Sequence, residues 1–463
     1  MVVEATQHPW STYRKDFREV QSLSAGHQPR WLRKLREDAF TRFSEVGFPT
    51  TRVEDWRFTN VSAIAETPFR LARNGRGSIS RQQIGLFSIA AVACRLVFVN
   101  SHFAAELSSV VKLPDGICIR SLAKVLEENS GALEPYLGQY LDTQRDAFCA
   151  LNTAFLEDGA YVHIGKGIAI DEPIHLLFIS DENSASASHP RNLIVAEEGS
   201  QVAVIEEYVS LGREPVLCNS ATELVARDGA VVSHYRIERE HSRAFSISTL
   251  RIEQARNANI ASHSVLIGGG LVRNNVHPVM SGAGGECLIN GLFIGTGRQH
   301  LDNYMLVEHA SPHCSSRQFY NGILDDRAHG VFHGRIVVRK DAQKTDTKQT
   351  NRNLLLSDNA QIDTKPQLEI FADDVKCTHG ATIGQIEESA IFYLRSRGID
   401  ELSARQLLLL AFAGECLERM STRSVRTHIE GLIHGRLSEM SARRKATSAK
   451  PSGEVDRNWE EVQ

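Results

Sequence analysis

No CxxC pair occurs anywhere in this chain, and its eight cysteines, at 94, 118, 149, 218, 287, 314, 377 and 416, are widely scattered. That spacing excludes a disulfide framework and fits a reducing, cytoplasmic setting in which most thiols are small buried hydrophobes. Long apolar runs are also missing. The longest, Leu407–Ala413, has about seven residues, far short of a membrane span, and no membrane partner is expected. The N-terminal MVVEATQHPWSTYRKDF has no h-region, so no secretory signal is expected. A basic surplus is absent too: 52 Lys+Arg against 56 Asp+Glu give a net charge of -4, which argues against a general nucleic-acid binder.

The standard catalytic signatures are equally lacking. Gly268-Gly269-Gly270 and Gly165-Lys166-Gly167 do not fit GxxxxGK[ST] and read as turns, so the chain is not expected to hydrolyse ATP itself. There is no GxSxG elbow. His329 and His333 have the i, i+4 spacing of a helical zinc pair, but Gly330-Val331-Phe332 between them supplies no Glu and reads as strand. Asp325-Asp326 and Asp373-Asp374 are adjacent pairs, and strand neighbours face opposite ways, so neither forms an acid/base dyad alone.

What is present is a soluble globular composition, 42% hydrophobic and 23% charged, on 463 residues, enough for two or three domains. Residues 1–158 read as an N-terminal helical and mixed region. Trp31, Leu32, Leu35, Phe40 and Phe43 recur at helical spacing, 91–99 alternates like a strand, and 121–158 returns to helix. Residues 159–384 change character to short Val/Ile/Leu/Thr/Tyr strands separated by turns. Gly199-Ser200-Gln201-Val202, Gly229-Ala230-Val231-Val232, Asn257-Ala258-Asn259-Ile260 and Asn359-Ala360-Gln361-Ile362 share one turn-then-strand grammar. The first three lie roughly 30 residues apart, the kind of period that stacked coils produce. The fold class expected is mainly β, a parallel β-helix (β-solenoid), with a β-sandwich as the competing all-β reading. Residues 385–440 are helical again. Gln406–Leu417 is apolar around much of its circumference and must be buried, in its own bundle or against a partner. Residues 441–463 read as a disordered tail.

Two clusters could carry chemistry. His300, Asp302, His309, His313, Cys314, His329 and His333 crowd a short stretch that stacked coils could bring onto one face, or that could simply form a polar ladder. Cys377-Thr378-His379 sits where strand gives way to helix, and in a strand residues i and i+2 share a face. A thiol and an imidazole suit iron, zinc or Fe–S chemistry, but two ligands cannot close a site. The missing ones must come from another chain or from sulfide.

The run DTKPQLEIFADDVKCTHGATIGQ with the following IFYLRSRGI resembles the SufB/SufD family of the SUF iron–sulfur cluster assembly machinery, on its SufD side. Val53-Glu54-Asp55-Trp56-Arg57-Phe58-Thr59, Leu151-Asn152-Thr153-Ala154-Phe155 and Lys344-Thr345-Asp346 leading to Asn353-Leu354-Leu355-Leu356 extend the likeness over all but the C-terminal tail. The resemblance implies a right-handed parallel β-helix flanked by helical regions. It further implies a non-catalytic scaffold that pairs with SufB through the β-helix ends, forms homodimers where SufB is absent, and docks a SufC ATPase through residues 385–440. On that basis Leu407, Leu408, Phe412 and Leu417 are the expected SufC-docking residues. His379 is the expected iron or nascent-cluster ligand at the shared interface, with Cys377 beside it, and a reduced flavin enters at the level of the complex. Leu368-Glu369-Ile370-Phe371 lacks the cysteine that SufB carries ahead of its matching region, which places this chain on the SufD side. An enzyme acting on a carbohydrate or small metabolite, through Asp325 or the His300–His333 cluster, and a metal-storing homodimer are the competing functional readings.

Overall fold

Residues Gln201, Val231, Asn259, Glu286, Ser315, Asp346 and Lys376 stand next to one another in a continuous parallel ladder, one per coil. The computed structural model describes residues 10–24, 28–72, 79–109, 114–181 and 184–448. Within them the core is a β-solenoid of about seven turns. Its strands are β1 (Gln201–Ser210), β2 (Val216–Ala226), β3 (Val231–Arg239), β4 (Ala244–Gln254), β5 (Asn259–Leu266), β6 (Leu271–Met280), β7 (Glu286–Gly295), β8 (His300–His309), β9 (Ser315–Leu324), β10 (His329–Val338), β11 (Asp346–Leu355), β12 (Gln361–Ile370) and β13 (Lys376–Gly384). Odd strands stack in one sheet and even strands in the other. Every pairing between coils is parallel, which excludes the β-sandwich, whose strands would pair antiparallel.

The turn grammar has a backbone cause. Gly199, Gly229 and Asn257, each just ahead of an odd strand, have φ near +60° (65, 67 and 56°), where glycine and asparagine are least strained. The slot after each is buried and small: Ser200, Ala230 and Ala258, then Gly285, Cys314 and Thr345 in later coils. Val202, Val204, Val232, Ile260, Ile289 and Leu301 fill the lumen, each buried aliphatic side chain contributing about 1.5–3 kcal/mol.

One end of the solenoid is closed. Cys94–Val99 and Ile174–Ser180 continue the odd sheet, and Ala160–Ile164 and Arg191–Ala196 the even one. Both finish in short antiparallel pairings that end the ladders. Helices α1 (Trp10–Ser24) and α2 (Arg30–Val46) lie in the N-terminal region, where α2 packs on the helix Ala147–Ala154. Residues 121–158 are less helical than their sequence predicts. Only α3 (Leu122–Asn129), a 3-10 turn and α4 (Ala147–Ala154) are helical, with Gly138 at φ 81° in the intervening turns.

The Leu151–Phe155 motif fastens this region to the solenoid. Asn152 donates to the carbonyls of Pro190 and Asn219 (3.0 and 2.8 Å), and its Oδ1 accepts from Arg191 (3.0 Å). Arg191 also meets Glu223 at 2.6 Å, both wholly buried, and Glu223 accepts the backbone N–H groups of Gly138 and Tyr140. Glu223→Ala strands a buried guanidinium and two amides, so a loss of about 3–5 kcal/mol in urea unfolding is expected. A loss under about 1 kcal/mol would show that this anchor is dispensable.

Helix α5 (Glu388–Ser396) follows β13. α6 (Glu401–Leu417) and α7 (Arg423–Ser448) then lie on the outer face of the odd sheet. Asn290 and Asn321 donate to the α6 carbonyls of Cys416 and Phe412 (2.9 and 2.8 Å), and Arg352 pairs with Glu415. α7 runs to Ser448, into the segment expected to be disordered, and 449–463 lie outside the described residues, as do 1–9 of the leader reading.

Candidate functional site

At its other end the solenoid stops without a cap of paired strands. β12 and β13 are the last members of their sheets, each with one edge unpaired by any described strand. β13 is exposed along most of its length, its own Ile383 included, and Ile370 and Phe371 add exposed apolar surface at the end of β12. Pro366 lies mid-way along β12, where an edge strand tolerates a residue with no N–H to give. An open edge flanked by apolar side chains is a surface built for pairing.

Cys377 and His379 lie on β13, in register with Thr347 and Gln349 of β11, whose side chains are buried inside the lumen. Cys377 is half-buried against the core and His379 is exposed at the mouth. The pair thus shares the inward face of the final coil, as the i, i+2 spacing requires. Burial, and after it the negative charge of Asp346, pushes the Cys377 thiol above its ordinary range, so in the isolated chain it is a thiol and not a reactive thiolate. Behind it the hydroxyls of Thr347 and Ser316 meet at 2.7 Å, and Ser316 meets His309 Nε2 at 2.8 Å.

The histidine-rich stretch divides between two faces. His300 and His329 are ladder neighbours on the outside of the even sheet, ring centroids 4.8 Å apart, bonded to Thr59 and Asp363 respectively. His333 bonds Gln367 there, whereas His309 points into the lumen and His313-Cys314 form a turn, Cys314 filling the small-residue slot. This is the polar-ladder reading. Among the described residues no group of three or more His, Cys, Asp or Glu is placed to hold a metal ion. The 53–59 motif covers the same face: Trp56 lies under the Arg273 guanidinium (3.9 Å), Thr59 donates to Asp302, and Glu54 pairs with Lys365 of β12.

Of the residues expected to dock a partner, Phe412 and Leu417 are packed into the chain's own core, Leu408 is half-buried, and only Leu407 is substantially exposed (48%). The apolar circumference of α6 is therefore used mainly within the chain. Among the described residues of the helical region the exposed aromatics are on α5 instead, Phe392 at 74% and Tyr393 at 58%. The sequence signal was the doublet Phe392-Tyr393 next to buried Ile391: three adjacent apolar residues cannot all face inward on one helix.

Residues 178–412 match the family described as SUF system FeS cluster assembly, SufBD core domain, and residues 8–176 match the SufBD protein N-terminal region. The chain belongs to the SufBD family. A SufBD family protein of Synechocystis is 34% identical over 423 residues, 89% of this chain and 93% of its own. The iron–sulfur cluster assembly protein SufD of Escherichia coli is 30% identical (85% and 90% covered), and SufD of Bacillus subtilis 24% (89% and 96%). This is a SufD-like SufBD protein of iron–sulfur cluster assembly. Its family match covers the whole ladder from β1 to β13, including both Cys377 and His379. No helix among the described residues is long and apolar enough to cross a membrane.

Proposed function

We propose that this chain is the SufD-type half of a two-subunit scaffold, without catalytic activity of its own, whose open solenoid end pairs with the corresponding end of a SufB subunit. The carrying observation is the location of His379 and Cys377 on the inward face of the last, unpaired coil. Iron, sulfide and the nascent cluster are cargo at that interface. His379 supplies a neutral imidazole nitrogen to iron, Cys377 is a secondary donor, and the SufB side contributes the thiolate that this chain lacks at 368–371. Where SufB is absent, two copies of the same end pair isologously.

A SufC ATPase docks on the helical region. The grip of Asn290, Asn321 and Arg352 on α6 supports a coupling route: a displacement of the helices bears on β7, β9 and β11, the last of which carries β13. Any reduced flavin acts at the level of the complex. The test is co-expression with SufB and SufC and anaerobic iron and sulfide analysis. The complex should hold iron and sulfide that the isolated chain does not, and a stoichiometric cluster on the isolated chain would overturn the reading.

The docking surface proposed is α5 with Leu407, in place of Phe412 and Leu417. Phe392→Asp with Tyr393→Asp should reduce SufC co-purification at least about tenfold, since aromatic anchors of interfaces are commonly worth 2 kcal/mol or more. The exposed positions predict an unchanged unfolding midpoint. Undiminished SufC capture would move the surface elsewhere.

A further inference from the structure

Directly behind His379 in the ladder stand two glutamines: Gln318 of β9, Gln349 of β11 and His379 of β13 are successive in-register neighbours. Gln318 and Gln349 are each 1% exposed, deep in the lumen, in a stretch that also buries Ser316, Thr347 and Asn351. Gln349 Nε2 donates to Gln318 Oε1 at 2.7 Å, the geometry of an amide ladder between stacked parallel strands. That bond directs the Gln349 donor inward and leaves Gln349 Oε1 buried without a hydrogen-bond partner among the described residues. A buried acceptor left in that state has lost its water without gaining a partner. The opposite wall is shaped around this amide: a Cβ on Gly334 would lie 1.9 Å from Gln349 Nε2 and 2.7 Å from its Cδ.

We propose that Gln349 is a positioning residue for His379, its Oε1 accepting the N–H of the imidazole when the ring turns onto the ladder. The polarity of the ladder demands a donor at the next rung, and adjacent strands about 4.8 Å apart put that rung within reach of a glutamine side chain. A neutral imidazole donates from one nitrogen and keeps a lone pair on the other. Holding the first nitrogen on Gln349 fixes the tautomer and turns the second toward the mouth, the arrangement in which metal-bound histidines are generally supported. Gln318 Oε1 engages the Gln349 donor, and Gly334 leaves the amide room. The inference rests on the reading of His379 as an iron ligand, and its first test does not use iron.

The experiment is ring 15N spectroscopy of histidine-labelled full-length protein, with the His379 signals identified by their loss in His379→Asn. One tautomer is expected in the wild type, a mixture of tautomers in Gln349→Leu, and a single tautomer again in Gln349→Glu, which restores an acceptor oxygen. If Gln349→Leu does not fold, Gln349→Asn serves, because its amide is one methylene too short to reach the ring. An unchanged His379 spectrum in the folded Leu or Asn variant overturns the proposal. In the complex with SufB and SufC, Gln349→Leu should lower ferrous-iron affinity about 10–100-fold. A tautomer change without loss of iron affinity would leave the positioning role standing and remove His379 from the ligand set.

Discussion

His379→Ala is expected to leave the complex with SufB and SufC assembled and to lower its iron content at least about tenfold, a loss no smaller than that produced by disturbing a ligand's support. The side chain is exposed on β13, so its removal opens no cavity and should change the stability of the chain by no more than about 0.5 kcal/mol. The effect falls on iron because the imidazole is the donor at the mouth that is free of the core. Cys377→Ala provides the contrast. Its thiol is half-buried and held protonated, so its loss should cost the core a little and the iron content less than His379→Ala does. The measurement is iron and sulfide per complex after anaerobic purification, with size-exclusion chromatography as the check on assembly. Normal iron in a fully assembled His379→Ala complex would remove His379 from the site.

The solenoid was legible where its turns follow one chemical rule. Gly199, Gly229 and Asn257 all satisfy a left-handed φ with residues suited to it, so their spacing stands out. Farther along, the same backbone slot is filled by His313 and Lys344, at φ 61 and 62°, and the period disappears from the sequence although the coils continue. The sequence also placed Cys377 and His379 on one strand face, because strand alternation is a local rule. Gln349 could not be found that way: its relation to His379 exists only in the register between coils, and an isolated glutamine in a strand carries no signal. Two of the expected docking residues, Phe412 and Leu417, are buried in the chain itself for a related reason. An apolar helix announces burial but not against what, and the outer face of the odd sheet takes up Phe412 and Leu417. Residues 121–158 show the opposite failure, in which turns around Gly138 break a segment of helical composition.

Between pH 6.5 and 5, the wild-type chain is expected to lose on the order of 3 kcal/mol more stability than a His189→Asn/His263→Asn variant. Both imidazoles are buried, and burial pulls each down to about 3. The geometry agrees. Asn219 Nδ2 lies 3.2 Å from His189 Nδ1 and also donates to the Phe148 carbonyl; Asn290 Nδ2 lies 2.9 Å from His263 Nδ1 and also donates to the Cys416 carbonyl. Each amide is therefore oriented with its N–H toward the ring, which needs a lone pair there and not a proton. Above the unfolded value of about 6.5 neither state is protonated and the full stability is present. As pH falls toward 3, the unfolded chain binds the proton that the folded chain refuses, at about 1.4 kcal/mol per pH unit for each histidine. Glu240, held protonated by burial and by Glu238, contributes with the opposite sign over the same range, so the informative quantity is the difference between wild type and variant. The asparagine oxygens keep an acceptor for Asn219 and Asn290 but do not titrate. Urea unfolding at the two pH values measures the difference, and equal pH slopes would mean that the folded protein accommodates both imidazolium ions. His263 gives the result a mechanical meaning. Its partner Asn290 is one of the two asparagines that hold α6 to the solenoid, so acid that forces a proton onto His263 should loosen the helical region from the sheet before the coils themselves come apart.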